Sequence, residues 1–81
     1  MNARIPRVQL DQARAIRWLR SVAASVASTA AERASACEVR LAIHYAKRPS
    51  AGAVAWLAGL CESSDLDVRA EARNAAGVVR V

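Results

Sequence analysis

Between Pro6 and Pro49 lie forty-two residues without a glycine or a further proline, rich in Ala, Arg, Ser and Val. Helix breakers are confined to Pro6, Pro49, Gly52, Gly59 and Gly77. A segment of this length is therefore one long helix or two helices that meet at a polar turn. Two helices fit better. Ile16, Leu19, Ala23, Val26 and Ala30 recur at three- and four-residue steps. They form one stripe of a helix predicted from about residue 8 (Val8) to 28, with Asp11 in or near the first turn, where a carboxylate suits the helix dipole. Arg33 then interrupts the stripe. Thr29 with Glu32, and Ser35 with Glu38, both have capping-box spacing, in which a hydroxyl and a carboxylate satisfy orphan backbone N–H groups. A second helix is predicted to start between residues 29 and 36 and to run to about 47. A continuous rod is the alternative, because Ser and Thr also occur inside helices.

The second helix carries Val39, Ala42, Ile43 and Ala46 on one side and Cys37, Leu41 and Tyr45 on others. It is apolar most of the way round, with only Arg40, His44 and Lys47 as a polar arc, a pattern that suits a centrally packed helix with one exposed edge. Pro49 ends it, and Ser50 is placed to cap a third helix over about 51–62, with Ala53, Val54, Leu57, Leu60 and Cys61 at helical spacing. Ser63, Ser64 and Asp65 supply the next turn and cap. A fourth helix over about 66–77 turns Val68, Ala72, Ala75 and Ala76 inward and is expected to end on Gly77 as a C-cap. The expected fold is all-α, a small bundle of three to four helices forming a single domain over residues 1–81.

The core of such a bundle must be thin. The chain has 81 residues and is 54% hydrophobic, but much of that is alanine; there is no Phe, and only Trp18, Trp56 and Tyr45 are aromatic. Alanine favours helix and lets helices approach closely, yet each buried methyl contributes only about 0.8 kcal/mol. A short chain also leaves much apolar surface in water unless a partner covers it, which makes self-association or docking a strong expectation.

The stretch from Ala53 to Val79 resembles a HEAT-repeat helical hairpin: an amphipathic helix with Leu57 and Leu60, a polar turn, then Asp67-Val68-Arg69 opening an Ala-rich helix. The resemblance covers about a third of the chain. It implies that Asp65 or Asp67, with Arg69, bonds to a neighbouring repeat, and that the surface binds proteins and occasionally nucleic acids. A solenoid needs about three repeats to bury a continuous core, so a full array is excluded by length, leaving a HEAT-like packing or a self-associated stack.

No enzyme motif is present. The sole histidine, His44, has no aromatic or carboxylate at a spacing that would orient it, the glycines are isolated rather than grouped as a phosphate cradle, and no carboxylate pair stands out. Cys37 and Cys61 lack a CxxC or His/Cys cluster and read as buried free thiols. With no apolar leader segment at the N-terminus, a reducing, cytoplasmic location is expected. No window approaches the length of a membrane span. No cofactor, metal or small-molecule site is expected.

The net charge is +5, and eleven of the twelve basic residues are arginine. In the first twenty residues Arg4, Arg7, Arg14, Arg17 and Arg20 face only Asp11. On the first helix Arg14, Arg17 and Trp18 are expected to share an outward side, because residues three and four apart are neighbours. A half-exposed indole between guanidinium groups suits a hot-spot anchor for a protein partner or a stacking surface beside phosphates. The bland reading is that Trp18 folds back onto another helix and fills bulk that alanine cannot. Trp56 resembles it in position, and the two could meet across a symmetric dimer interface. Arg69, Arg73 and Arg80 make a second row, read as a solvated face.

The leading expectation is a non-enzymatic helical protein that binds another protein, or itself as a homodimer, through Trp18, Arg14, Arg17 and Trp56. Adaptors, inhibitors and phage or mobile-element accessory proteins have this size. The alternative is a small basic nucleic-acid binder using Arg7, Arg14, Arg17 and Arg20 on phosphates, although no clean helix-turn-helix is present. A third class is an interfacial helix on anionic lipid.

Overall fold

The structure is a computed structural model that describes residues 9–79. Among these, four α-helices and no strand are found: α1 Gln12–Ala24, α2 Ala30–His44, α3 Ala51–Leu60 and α4 Leu66–Val79. The all-α bundle is as expected, and the segment between the prolines forms two helices rather than a rod. The starting positions near Val8 and Arg7 lie outside the described residues, as does Arg80.

Local chemistry explains each boundary. Asp11 is the N-cap of α1 rather than part of its first turn, its side chain accepting from Arg14 N–H at 2.9 Å. The helix stops at Ala24, short of residue 28. Ser25 takes an extended conformation (φ −76°, ψ 128°), and its hydroxyl accepts from Ala27 N–H at 3.2 Å. Such a short polar side chain competes with the helix for backbone groups. Val26, expected on the inward stripe, therefore stands in the turn, 100% exposed. Arg33, which breaks the apolar pattern, donates through Nη1 to Ser28 C=O and ties down this turn.

Of the two capping-box candidates, Thr29 with Glu32 is the one used: Thr29 Oγ1 accepts from Glu32 N–H at 3.1 Å and Glu32 Oε1 accepts from Thr29 N–H at 2.9 Å. Ser35 lies inside α2. The helix ends at His44, not near 47, through a Schellman motif: Lys47 N–H donates to Ala42 C=O at 2.8 Å and Ala46 N–H to Ile43 C=O at 3.4 Å. Ala46, expected to face the core, is instead exposed and holds φ +52°, a left-handed conformation that usually falls to glycine.

Ser50 caps α3 through its hydroxyl, which accepts from Ala53 N–H at 3.3 Å. A capping box would place a carboxylate at position 53 to receive the Ser50 N–H, but alanine stands there. Glu38 of α2 supplies it instead, with Oε2 accepting from Ser50 N–H. The cap of one helix is thus completed by the side chain of another. Asp65 opens α4, accepting from Asp67 and Val68 N–H at 3.0 and 3.3 Å.

Gly77 does not cap α4. It lies within the helix, where a Cβ would sit 2.5 Å from Leu10 Cδ2. The missing side chain lets the segment before α1 cross α4 at close range.

The helices pack in a ring. α1 and α3 each touch α2 and α4, α2 also touches α4, and no Cα of α1 comes within 8 Å of one in α3. α2 and α4 are accordingly the two central helices, each in contact with the other three. The core is alanine-rich, as its composition demands: Ala15, Ala36, Ala42, Ala53, Ala72 and Ala75 are buried, and Leu19, Leu57 and Val39 are the largest fully buried side chains.

Candidate binding surfaces

The open diagonal between α1 and α3 is filled by the two tryptophans. Trp18 from α1 and Trp56 from α3 stack with ring centroids 5.9 Å apart and planes at 12°. Both are half-buried and lie against the core cluster. Of the two placements expected for Trp18, the structure shows the one in which it folds back onto another helix. The indoles meet within one chain, because helices lined by alanine leave a gap on the longer diagonal that only large rings span. The Trp56 Nε1–H is enclosed and has no protein acceptor.

Arg14 stays exposed, as expected, but is tied to α4. Its Nε donates to Glu71 Oε1 of α4 at 2.6 Å, with the arginine side chain half exposed. Beside it, Asn74 makes a two-point clamp on the N-cap of α1: Oδ1 accepts from Asp11 N–H at 2.8 Å, and Nδ2 donates to Asp11 C=O at 2.9 Å. Asn74 is 9% exposed, the buried polar side chain of the described core. Sequence reasoning passed over it, since an Asn in an Ala-rich helix looks like a solvated position. Arg17 and Arg20 remain exposed on α1, whereas Arg7 lies outside the described residues. Of the four residues expected to bind a partner, the structure therefore brings Trp18 and Trp56 into contact and ties Arg14 to α4.

Other reactive groups are scattered. Cys37 and Cys61 are free and half-buried. Burial pushes the Cys61 thiol up from its ordinary range, with the Arg73 guanidinium pulling the other way. Arg73 Nε also donates to Cys61 C=O at 3.1 Å, joining α4 to the end of α3. His44 is exposed and, contrary to expectation, has an aromatic neighbour: the Tyr45 ring meets it edge-on at 4.7 Å and 89°. Among the described residues no group of three or more His, Cys, Asp and Glu is placed to hold a metal, and no helix is long and apolar enough to cross a membrane.

Two surfaces stand out instead. The first is the outer side of α3. This helix carries no charged side chain, and its exposed positions are Ala51, Gly52, Ala55, Ala58 and Gly59. The second is at the end of α2, where Leu41 (43% exposed) and Tyr45 (61% exposed) stand one turn apart. With buried Pro49 and exposed Lys47 and Arg48 they line an open groove of about 430 Å³. Lys47 Nζ lies 5.7 Å from the centre of the Tyr45 ring, within range of a cation–π attraction. The Glu38–Ser50 bond borders this groove. The Ser50 hydroxyl first, and then its N–H, hold the Glu38 carboxyl below its ordinary value of 4.5.

Fold and surface together define a small all-α domain with apolar faces and a cationic rim. No family model, curated protein or solved structure matches the chain.

Proposed function

We propose that the chain is a non-enzymatic protein-binding module, an adaptor or inhibitor that acts on another protein or on a second copy of itself. The observation that carries this reading is α3. A helix that is apolar all round belongs in the interior of a protein, yet the outer side of this one faces water with alanine and glycine alone. Small side chains let a partner backbone approach closely, and nothing on that face attracts a phosphate. The same economy recurs across the molecule, whose core is built from alanine while Leu10, Leu41, Tyr45 and Leu66 stand exposed.

The test combines sedimentation equilibrium of the purified chain with capture of proteins from its native host, each repeated on Ala55→Glu. The reading expects a dimer, or a specifically retained protein, that the buried charge of Ala55→Glu removes. It is abandoned if the chain is a strict monomer and retains nothing beyond what Ala55→Glu retains.

Nucleic-acid binding is the second reading, favoured by exposed Arg17 and Arg20 on α1. Phosphate contacts make affinity fall steeply with salt. A titration of DNA and RNA against salt separates the two readings, and no retention at low salt removes this one.

A further inference from the structure

We infer that the groove at the C-terminal end of α2 is the docking site for an acidic, amphipathic helix of a partner protein, an inference that rests on the protein-binding reading above. The apolar part of the lining is Leu41 and Tyr45, exposed one helical turn apart, with buried Ala42 and Pro49; Glu38, Lys47, Arg48 and Ser50 are the polar part. A partner helix with apolar side chains three or four residues apart matches that spacing. Tyrosine is among the side chains that most often anchor protein interfaces, because a large ring is buried at small entropic cost.

The rim selects the charge of the partner. Of the residues that line the groove, Lys47 and Arg48 are permanent cations and Glu38 is the one carboxylate. Glu38 stays ionised and accepts from the Ser50 N–H, so the groove keeps a net positive charge of one. An acidic segment gains from both the apolar floor and the cationic rim, while a basic one meets like charge. A stacked nucleobase fits less well. One face of the Tyr45 ring is taken by Lys47 Nζ, and its edge-on neighbour is His44. The site is also held in shape before binding: the Schellman motif fixes Tyr45 to Lys47, and the Glu38–Ser50 bond fixes the chain beyond Pro49. Pre-ordering of this kind reduces the entropy lost on docking.

A display library of random linear peptides panned on the full chain tests the inference, with Leu41→Ser/Tyr45→Ser as the counter-selection. Both residues are exposed, so the variant should keep the wild-type far-ultraviolet dichroism. The expected winners carry net negative charge and an apolar pair three or four residues apart. A synthesised winner should bind about thirtyfold more weakly to Tyr45→Ala, as for an interface anchor. It should also weaken with added salt and on Lys47→Glu/Arg48→Glu. Basic or neutral winners, no enrichment, or equal binding to Leu41→Ser/Tyr45→Ser overturns the inference. So does a dimer of the wild type that Tyr45→Ser dissociates, since the occupant is then a second copy, or DNA or RNA retained at low salt and lost on the same variant. If the peptide test fails in one of these ways while a host protein is still captured by Leu41→Ser/Tyr45→Ser, the wider protein-binding reading stands and only this groove is wrong.

Discussion

Asn74→Asp is the substitution that most directly tests how the two ends of this chain are joined. Asn74 uses both halves of its amide on one residue, 63 positions away: it accepts from Asp11 N–H and donates to Asp11 C=O. Aspartate has the same shape and keeps the acceptor. It loses the donor, and it sets a carboxylate oxygen against the Asp11 carbonyl, which the amide now approaches to 2.9 Å. Losing one net hydrogen bond costs about 1 kcal/mol, and leaving a buried polar group unpaired adds about 1–3 kcal/mol. A loss of about 3 kcal/mol at neutral pH follows, out of a total stability of ~4–12 kcal/mol for a domain of this length.

The sign of the pH dependence is also determined. The charged form is repelled by the Asp11 carbonyl, whereas the protonated form can donate to it, so the new carboxyl has its folded pKa raised above the unfolded value of about 3.9. The folded state then binds the proton more tightly. The deficit is largest above the raised folded pKa and shrinks as pH falls through it towards the unfolded value. Urea unfolding followed by far-ultraviolet circular dichroism, on wild type and Asn74→Asp at neutral and mildly acidic pH, measures both quantities. Asn74→Leu is the control: it removes both bonds, but Asp11 C=O still accepts from Ala15 N–H at 3.0 Å. Its cost should be about 1–2 kcal/mol for the orphaned Asp11 N–H, without the pH dependence. If Asn74→Asp is as stable as wild type at neutral pH, or if its deficit grows on acidification, the clamp does not hold α1 to α4.

Ala46→Gly should raise stability by about 0.5–1 kcal/mol, because a left-handed residue with a Cβ costs about 1–2 kcal/mol and glycine returns part of that through unfolded-chain entropy; thermal melting reads the gain. The stability difference between wild type and Glu38→Gln should be constant above the ordinary Glu38 value of 4.5 and disappear as pH falls through the depressed folded pKa, because the bond to Ser50 favours the carboxylate. An acid titration of both proteins, each unfolded in urea, checks it; a difference that persists into strong acid would contradict the cap described for α3. A double-mutant cycle of Trp18→Leu and Trp56→Leu should show a coupling of about 1 kcal/mol, the range of stacked aromatic pairs, and additive effects would mean that the rings do not support each other.

What the sequence settled was local. The Thr29/Glu32 box, the Ser50 and Asp65 caps and the breaker Pro49 were all readable, because a cap is a contest between a side chain and backbone groups within four residues. The alanine-rich, four-helix character followed from composition and period in the same way. Asp65, expected from a resemblance to bond to a neighbouring repeat, serves α4 as a cap.

Other features had no local signal. Ala46 takes a glycine's conformation because the turn must return α3 to α2, and Gly77 is small because Leu10 crosses it rather than because a helix ends there. Glu38 matched Ser35 by spacing but bonds Ser50. Asn74 looked like a surface position until Asp11 came beside it, and Arg14, which is one, gave no sign of its partner Glu71. The tryptophans could be assigned to a stripe edge from sequence, but their mutual stacking depends on which diagonal of the ring is long. Periodicity states which side of a helix is apolar, not which neighbour that side meets or how wide the gap is. Only the packing of four helices with alanine between them decided that the indoles would face each other and that Leu41 and Tyr45 would be left outside.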